Sequence, residues 1–139
     1  MAMSHHRADE TLDQALTGAT PYVWLHIGNP GAEGDNNIAQ DSGGNIDRKT
    51  VTFGSPESHE TNDERRVLNT SEVEWTGEEI DDSQEVSYFS VWSEAEGGAG
   101  EQPEFIAPVT TAKVIGSDGV IISEGDLEIA IEVYEKPAE

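Results

Sequence analysis

Apolar and polar residues alternate along most of this chain, and the dominant period is two. From Gly125 to Glu135, Leu127, Ile129, Ile131 and Val133 alternate with Glu128, Ala130, Glu132 and Tyr134, which predicts a strand with one buried face. Glu72 to Thr76 repeats the pattern, with Val73 and Trp75 inward and Glu72 and Glu74 outward. Tyr22 to Ile27 and Val86 to Trp92 are denser apolar runs with large side chains on both faces, which predicts central strands. Lys49 to Phe53 predicts a short strand with Val51 and Phe53 inward, and Phe105-Ile106 begins another that Pro108 confines to an edge or a bend. Asp118-Gly119 between Val114-Ile115 and Val120 to Ser123 is a hairpin signal.

A helical period appears near the start, where Leu12 and Leu16 share one face, Asp9 can cap the segment Glu10 to Leu16, and Gly18 can end it. About two turns of helix are unstable alone. The leucine pair must therefore dock on its own domain, on a sister subunit or on a partner. His5 and His6 read as part of a flexible terminus. Gly31 to Asp47 and Glu57 to Arg66 are polar and predict loops, and Gly97 to Gly100 predicts a flexible hairpin tip. The sum is an all-β fold, an antiparallel β-sandwich or barrel-like domain of about seven to eight strands with one short N-terminal helix. Residues 1–20 form an N-terminal arm and 21–136 the single β domain.

Charge changes this picture most. The chain has 139 residues, enough for one core, with 7 Lys plus Arg against 29 Asp plus Glu and a formal net charge of −22. Such a field repels phosphate backbones and anionic membrane surfaces, so nucleic acid and membrane are not expected partners. The carboxylates run through strand-like segments as well as loops, unlike a disordered acidic tail. Trp24, Trp75 and Trp92 lie inside apolar runs, as in a folded domain. At molar salt the Debye length falls to about 3 Å and repulsion among surface carboxylates is screened. The composition therefore points to a protein adapted to high salt. There is no cysteine, no apolar segment like that of a signal peptide, and no run of apolar residues long enough to span a bilayer.

Candidate chemistry is sparse. Asp35, Asn37 and Asp41, or Asp41, Asn45 and Asp47, offer oxygens suited to Ca²⁺ or Mg²⁺, but without the spacing of an EF-hand loop. Asp and Asn are also what solvated turns use. No cofactor is expected, beyond non-specific or structural Na⁺, K⁺, Mg²⁺ or Ca²⁺ ions. His26 reads as a satisfied core or rim residue rather than a ligand and His59 as a loop residue, with no serine or carboxylate tied to either by a known spacing. G-x-S-x-G, H-E-x-x-H and phosphate-loop motifs are all missing from the sequence. No catalytic residue is assigned. Arg65-Arg66 has two readings, a grip on an acidic partner or local pairing with Glu57, Glu60, Asp63 and Glu64.

Several stretches, taken in order, resemble a family of small virion proteins of tailed viruses, labelled tail-fibre, minor tail or head-decoration proteins. Leu12 and Leu16 precede Tyr22 to Ile27 and Asn29-Pro30-Gly31, as a leucine-bearing helix there precedes a strand ending in a D-P-G-like turn. Ser42-Gly43-Gly44, Arg48 and Val51-Thr52-Phe53 follow its path from Ser-Gly-Gly through a basic residue to V-T-F. Asn69 to Val73 is similar to its N-S-A-x-V, and Val86 to Trp92 to its T-H-F-G-I-W strand, with Phe89 and Trp92 aligned. Ala107 to Lys113 resembles its G-P-L-T-T-P-K, and Ser123 to Leu127 its A-A-G-D-L. The acidic loops Glu57 to Glu64 and Glu78 to Asp82, and an insertion-like Gly97 to Glu104, depart from the family pattern.

The resemblance implies a structural subunit of a virus particle, and the acidity implies a virus of a halophilic archaeon. The leading expectation is a capsid decoration or cementing protein on the outer shell, bound to the major capsid protein or other virion proteins and assembling as a homo-oligomer, a trimer at first guess. Leu12, Leu16, Tyr22, Phe89 and Trp92 are its expected contact residues. A tail, baseplate or fibre component is the alternative. A third reading is a cation-dependent glycan or cell-surface module that stacks its ligand on Trp75 or Trp92.

Overall fold

The computed structural model describes residues 3–59, 63–95 and 101–133. The expected Gly97–Gly100 tip, Glu60, Tyr134 and the end of the domain at 136 lie outside these residues. The described chain folds into helix α1 (His5–Leu12), a π-helical turn (Asp13–Thr17) and eleven strands: β1 (Tyr22–His26), β2 (Gln40–Asp41), β3 (Gly44–Asn45), β4 (Lys49–Thr50), β5 (Glu57–Ser58), β6 (Glu64–Leu68), β7 (Val73–Thr76), β8 (Glu85–Trp92), β9 (Phe105–Val114), β10 (Gly119–Ile122) and β11 (Glu128–Glu132). Every ladder between them is antiparallel. One sheet has the order β4-β1-β8-β9, a second the order β11-β6-β5, and β10-β7 and β2-β3 are two-stranded. These sheets close on one core, the expected all-β sandwich. The strands beyond the expected seven or eight are the two-residue pieces β2, β3 and β5 and the charged strand β6.

The core follows the alternation. Val73 and Trp75 are buried while Glu74 and Thr76 face out, and Leu127, Ile129 and Val133 are buried with Ile131 packed against them. β1 lies between β4 and β8, and β8 buries Val86 and Phe89 to Trp92, so both dense apolar runs are central strands. Val23, Leu25, Phe89 and Val91 pack on the main core from one face of this sheet. The opposite face carries Trp24, His26, Ser90 and Trp92 and is covered by loops.

Four expectations are corrected. The helix starts at His5 rather than Glu10, because Ser4 caps it by accepting the Arg7 N–H at 3.2 Å. His5 and His6 are therefore helical, and Asp9 is an interior position. The polar segment before Leu68 is not all loop, since β6 pairs residue by residue with β11, from Glu64 opposite Glu132 to Leu68 opposite Glu128. The stretch from Gly31 to Asp47 contains the β2-β3 hairpin and buries Ile38, Ala39 and Ile46. Finally, Pro108 sits in an edge strand as expected but does not interrupt it: Phe105 to Val114 is one strand, with a bulge between Val86 and Tyr88 in its partner.

The arm is docked on the β domain. Ala8, Leu12 and Leu16 are buried, Thr17 donates its hydroxyl proton to the Gly54 carbonyl at 2.8 Å, and Met3 bridges to Val133. At the start of β10, Gly119 has φ +95°, and a Cβ there would collide with the Trp75 carbonyl. Only glycine fits that approach.

Candidate functional site

The most elaborate side-chain cluster lies on the loop-covered face of β1 and β8. The register sets Trp24 opposite Ser90 and Tyr22 opposite Trp92, so Trp24, His26, Ser90 and Trp92 share one face. Over them lies the Arg48 guanidinium, 3.8 Å from the Trp92 ring centre and 4.5 Å from that of Trp24. The two indoles meet edge to face at 5.8 Å. Arg48 Nη1 donates to the Glu101 carboxylate at 2.9 Å and to the Glu94 carbonyl at 3.1 Å, and the Arg48 side chain is 5% exposed. A desolvated cation between two indoles gains from both ring faces, while its carboxylate partner balances the charge.

Beneath Arg48 the polar atoms form a closed chain. Trp92 Nε1–H donates to Ser90 Oγ at 2.8 Å, and Ser90 Oγ lies 2.7 Å from His26 Nε2. His26 Nδ1 lies 2.8 Å from the Asn36 carbonyl. A carbonyl only accepts, which assigns the proton to Nδ1 and leaves Nε2 to accept from the Ser90 hydroxyl. Burial lowers the His26 pKa, against the opposing pull of the Asn36 hydrogen bond, so the imidazole is neutral. Trp24 Nε1–H donates to the Ile46 carbonyl at 2.6 Å. A serine hydroxyl on a histidine nitrogen is the beginning of a nucleophilic dyad. Here both residues are fully buried and the hydroxyl oxygen already accepts from Trp92. The arrangement locks β1, β8 and the 36–48 loop together and gives no substrate access. Sequence reasoning placed His26 in the core but missed Ser90, whose spacing of 64 residues from His26 carries no local signal.

Every described Lys and Arg side chain is engaged inside the chain. Arg65 makes a two-pronged contact with Asp9, at 2.7 and 3.0 Å, and so ties α1 to β6. Arg66 bridges Glu128 at 2.7 Å and Glu57 at 3.1 Å, and its pKa is raised chiefly by Glu128. Lys49 holds Glu79 at 2.6 Å and lowers that carboxyl's pKa. Lys113 holds Asp126 at 2.9 Å, and Arg7 holds Glu10 at 3.1 Å. Both arginines thus pair within the chain, but of the expected local partners only Glu57 is seen among these contacts, and Asp9 and Glu128 come from segments distant in sequence. In contrast, Glu64 and Glu132 stand directly opposite each other in the β6-β11 ladder, a like-charge pair that costs stability unless screened.

An open groove of about 710 Å³ separates β9 from β11 and is lined by residues including Arg66, Ala107, Pro108, Glu128 and Ala130. Thr110 N–H donates to the Asp126 carbonyl at one end of this region. Pro108 has no N–H to offer an added strand, a common protection of a sheet edge.

The sequence-predicted residues form no single exposed site, although Tyr22 stands opposite Trp92 and Leu12, Leu16 and Phe89 share one core cluster. Leu12, Leu16 and Phe89 pack in the main core and Trp92 is buried under Arg48 on the opposite face, all at 3% exposure or less, and Tyr22 alone of the expected contacts keeps part of its surface. The arm's leucines had to be buried somewhere, and the chain's own β domain meets that need. Trp75 is fully buried and Trp92 is covered by Arg48, so neither offers a ring face to a sugar. Asn37 donates from its side chain to the Asn29 carbonyl and Asp41 accepts from the Gly43 N–H, both as turn residues, while Asp35 is exposed. Among the described residues, no three His, Cys, Asp or Glu side chains are grouped as a metal site requires.

Curated protein sequences contain no match to this chain. A family profile does match, described as "Podophage GP4 fiber I protein gp80", over residues 2–130. That span takes in the docked arm, the Arg48 cluster and all but the end of β11, and the chain belongs to this family of podophage fibre proteins.

Proposed function

We propose that this chain is a structural component of the tail-fibre region of a tailed-virus particle, and that it works by rigid contact with other virion proteins rather than by catalysis. The observation that carries the reading is the fibre-family match across 2–130. The closed Arg48 cluster supports it, because its histidine and serine are sealed into the fold. Fibre placement replaces outer-shell decoration as the leading reading, since the family is a fibre family and the residues expected to grip a shell point inward. Imaging of particles with this protein gold-labelled tests it. Label at the tail in a few to tens of copies is expected, and label spread over the shell in hundreds of copies would overturn it.

We also propose that the particle works at high salt. The net charge of −22, the engagement of every described cation within the chain, and the facing pair Glu64 and Glu132 all favour it. Molar salt screens such repulsion. Full folding in dilute buffer without added cations would contradict this part. A homo-oligomer, with a trimer as first guess, is checked by native mass measurement at high salt.

A further inference from the structure

Four large hydrophobic side chains of the described chain are exposed: Met3, Ile27, Ile121 and Val114. Val114 at 68% and Ile121 at 48% are the most exposed of these, and they occupy equivalent places. Each lies two residues outside the bridge between Gly116 and Gly119, one at the end of β9 and the other in β10. Their neighbours Ile115 and Val120 are buried, so alternation turns both Val114 and Ile121 to solvent. The register gives each an acidic companion on the same face, Glu85 opposite Val114 and Glu74 opposite Ile121. Glu72, two residues from Glu74, is exposed too.

We infer that this β9-β10 corner is a heterotypic docking surface, and that its occupant is a neighbouring virion protein presenting aliphatic side chains flanked by Lys or Arg. The inference rests on the reading of the chain as a particle component. In dilute salt, where the surface charges are least screened, a second copy of this chain is a poor occupant on charge grounds. Self-association there would place Glu74 and Glu85 against the acidic surface of a like molecule, and the described cations that could offset them are held in intramolecular pairs. Lys113, adjacent to Val114, is bound to Asp126. A basic rim on the partner would supply what this chain lacks, while burial of Val114 and Ile121 would contribute the apolar part.

The test uses the full chain with methyl-labelled Val and Ile, at the lowest salt at which it is fully folded. One probe is a short peptide alternating Val with Lys, and the other is its Val-Glu counterpart. The Val-Lys peptide should shift the Val114 and Ile121 methyl signals ahead of Ile27, and the Val-Glu peptide should not. The double variant V114S/I121S should bind the Val-Lys peptide at least tenfold more weakly. Equal binding by that variant would overturn the inference, because attraction would then be diffuse. Shifts of the same methyls with protein concentration alone would also overturn it, because the occupant would be a second copy. Particle imaging tests the fibre reading separately, so failure of one is distinguishable from failure of the other.

Discussion

Around Arg48 a cation is nearly removed from water, held between two indoles and matched to Glu101. At the β9-β10 corner Val114 and Ile121 are in solvent with Glu85 and Glu74 opposite them and no described cation free to answer those carboxylates. The same chain therefore treats scarce positive charge and abundant negative charge differently. Its described basic side chains act as internal fasteners, joining α1 to β6, β5 to β11 through Arg66, and β4 to the turn after β7. Its remaining carboxylates define the outside. Charge in this protein is thus divided by role: internal ion pairs hold segments that are distant in sequence, and the proposed preferences for partner and salt rest on the outer field.

The comparison can be broken most severely at Arg48. Arg48→Ala would leave Glu101 with its main cation removed and uncover both indoles, and it should cost about 3–5 kcal/mol, read as a shifted urea midpoint at fixed high salt. V114S/I121S should change the same midpoint by less than about 0.5 kcal/mol. Similar losses at the two places would erase the distinction between them.

Acid should weaken the Arg48 region through His26. Its folded pKa lies below the unfolded value of 6.5, so the unfolded chain binds the extra proton. The contribution of the neutral ring is complete well above 6.5 and declines as pH falls through it, with a slope of up to about 1.4 kcal/mol per pH unit. His26→Gln should be less stable at pH 7 and should lack this part of the slope, as measured by urea unfolding at several pH values and high salt.

Arg65→Ala removes the two-pronged contact with Asp9. The pair is partly exposed, at 17% and 37%, so solvent screening limits the expected loss to about 1 kcal/mol. Faster proteolysis of the arm is the second readout. The smallest effect belongs to the outer surface: Glu132→Lys, opposite Glu64, should gain roughly 0.5 kcal/mol in dilute salt and less at molar salt. A gain that does not shrink with salt would mean that the substitution acts through packing.

The sequence made the strands with strict alternation legible, because burial of one face is written in period two. Val73 and Trp75, and Ile129 and Val133, are examples, while the central runs Tyr22 to His26 and Val86 to Trp92 were legible by their density of apolar residues on both faces. It concealed β6, whose Glu64, Arg65 and Arg66 look like loop residues until β11 and Asp9 are placed beside them. Ion pairing across sheets lets charged residues occupy a strand, and no local pattern signals it. The helix start was missed for a related reason, since Ser4 and Asp9 are both good caps and Asp9 is needed by Arg65. The Arg48 cluster was visible only as scattered aromatics and one basic residue, because its members come together through sheet pairing and loop closure. Colinear motifs, by contrast, resembled tailed-virus structural proteins, and the family match agrees with that coarser reading while favouring a fibre over the shell.

The division of charge is tested most directly by urea unfolding of the unmodified chain across KCl concentrations from about 0.1 M to about 1 M, where the Debye length falls from about 10 Å to about 3 Å. The fastening pairs at Arg48, Arg65 and Arg66 are largely shielded from solvent, with basic side chains 5%, 17% and 14% exposed, and are screened less than the outer carboxylates. Stability should therefore rise with salt. A stability that stays level or falls as KCl is added would contradict it.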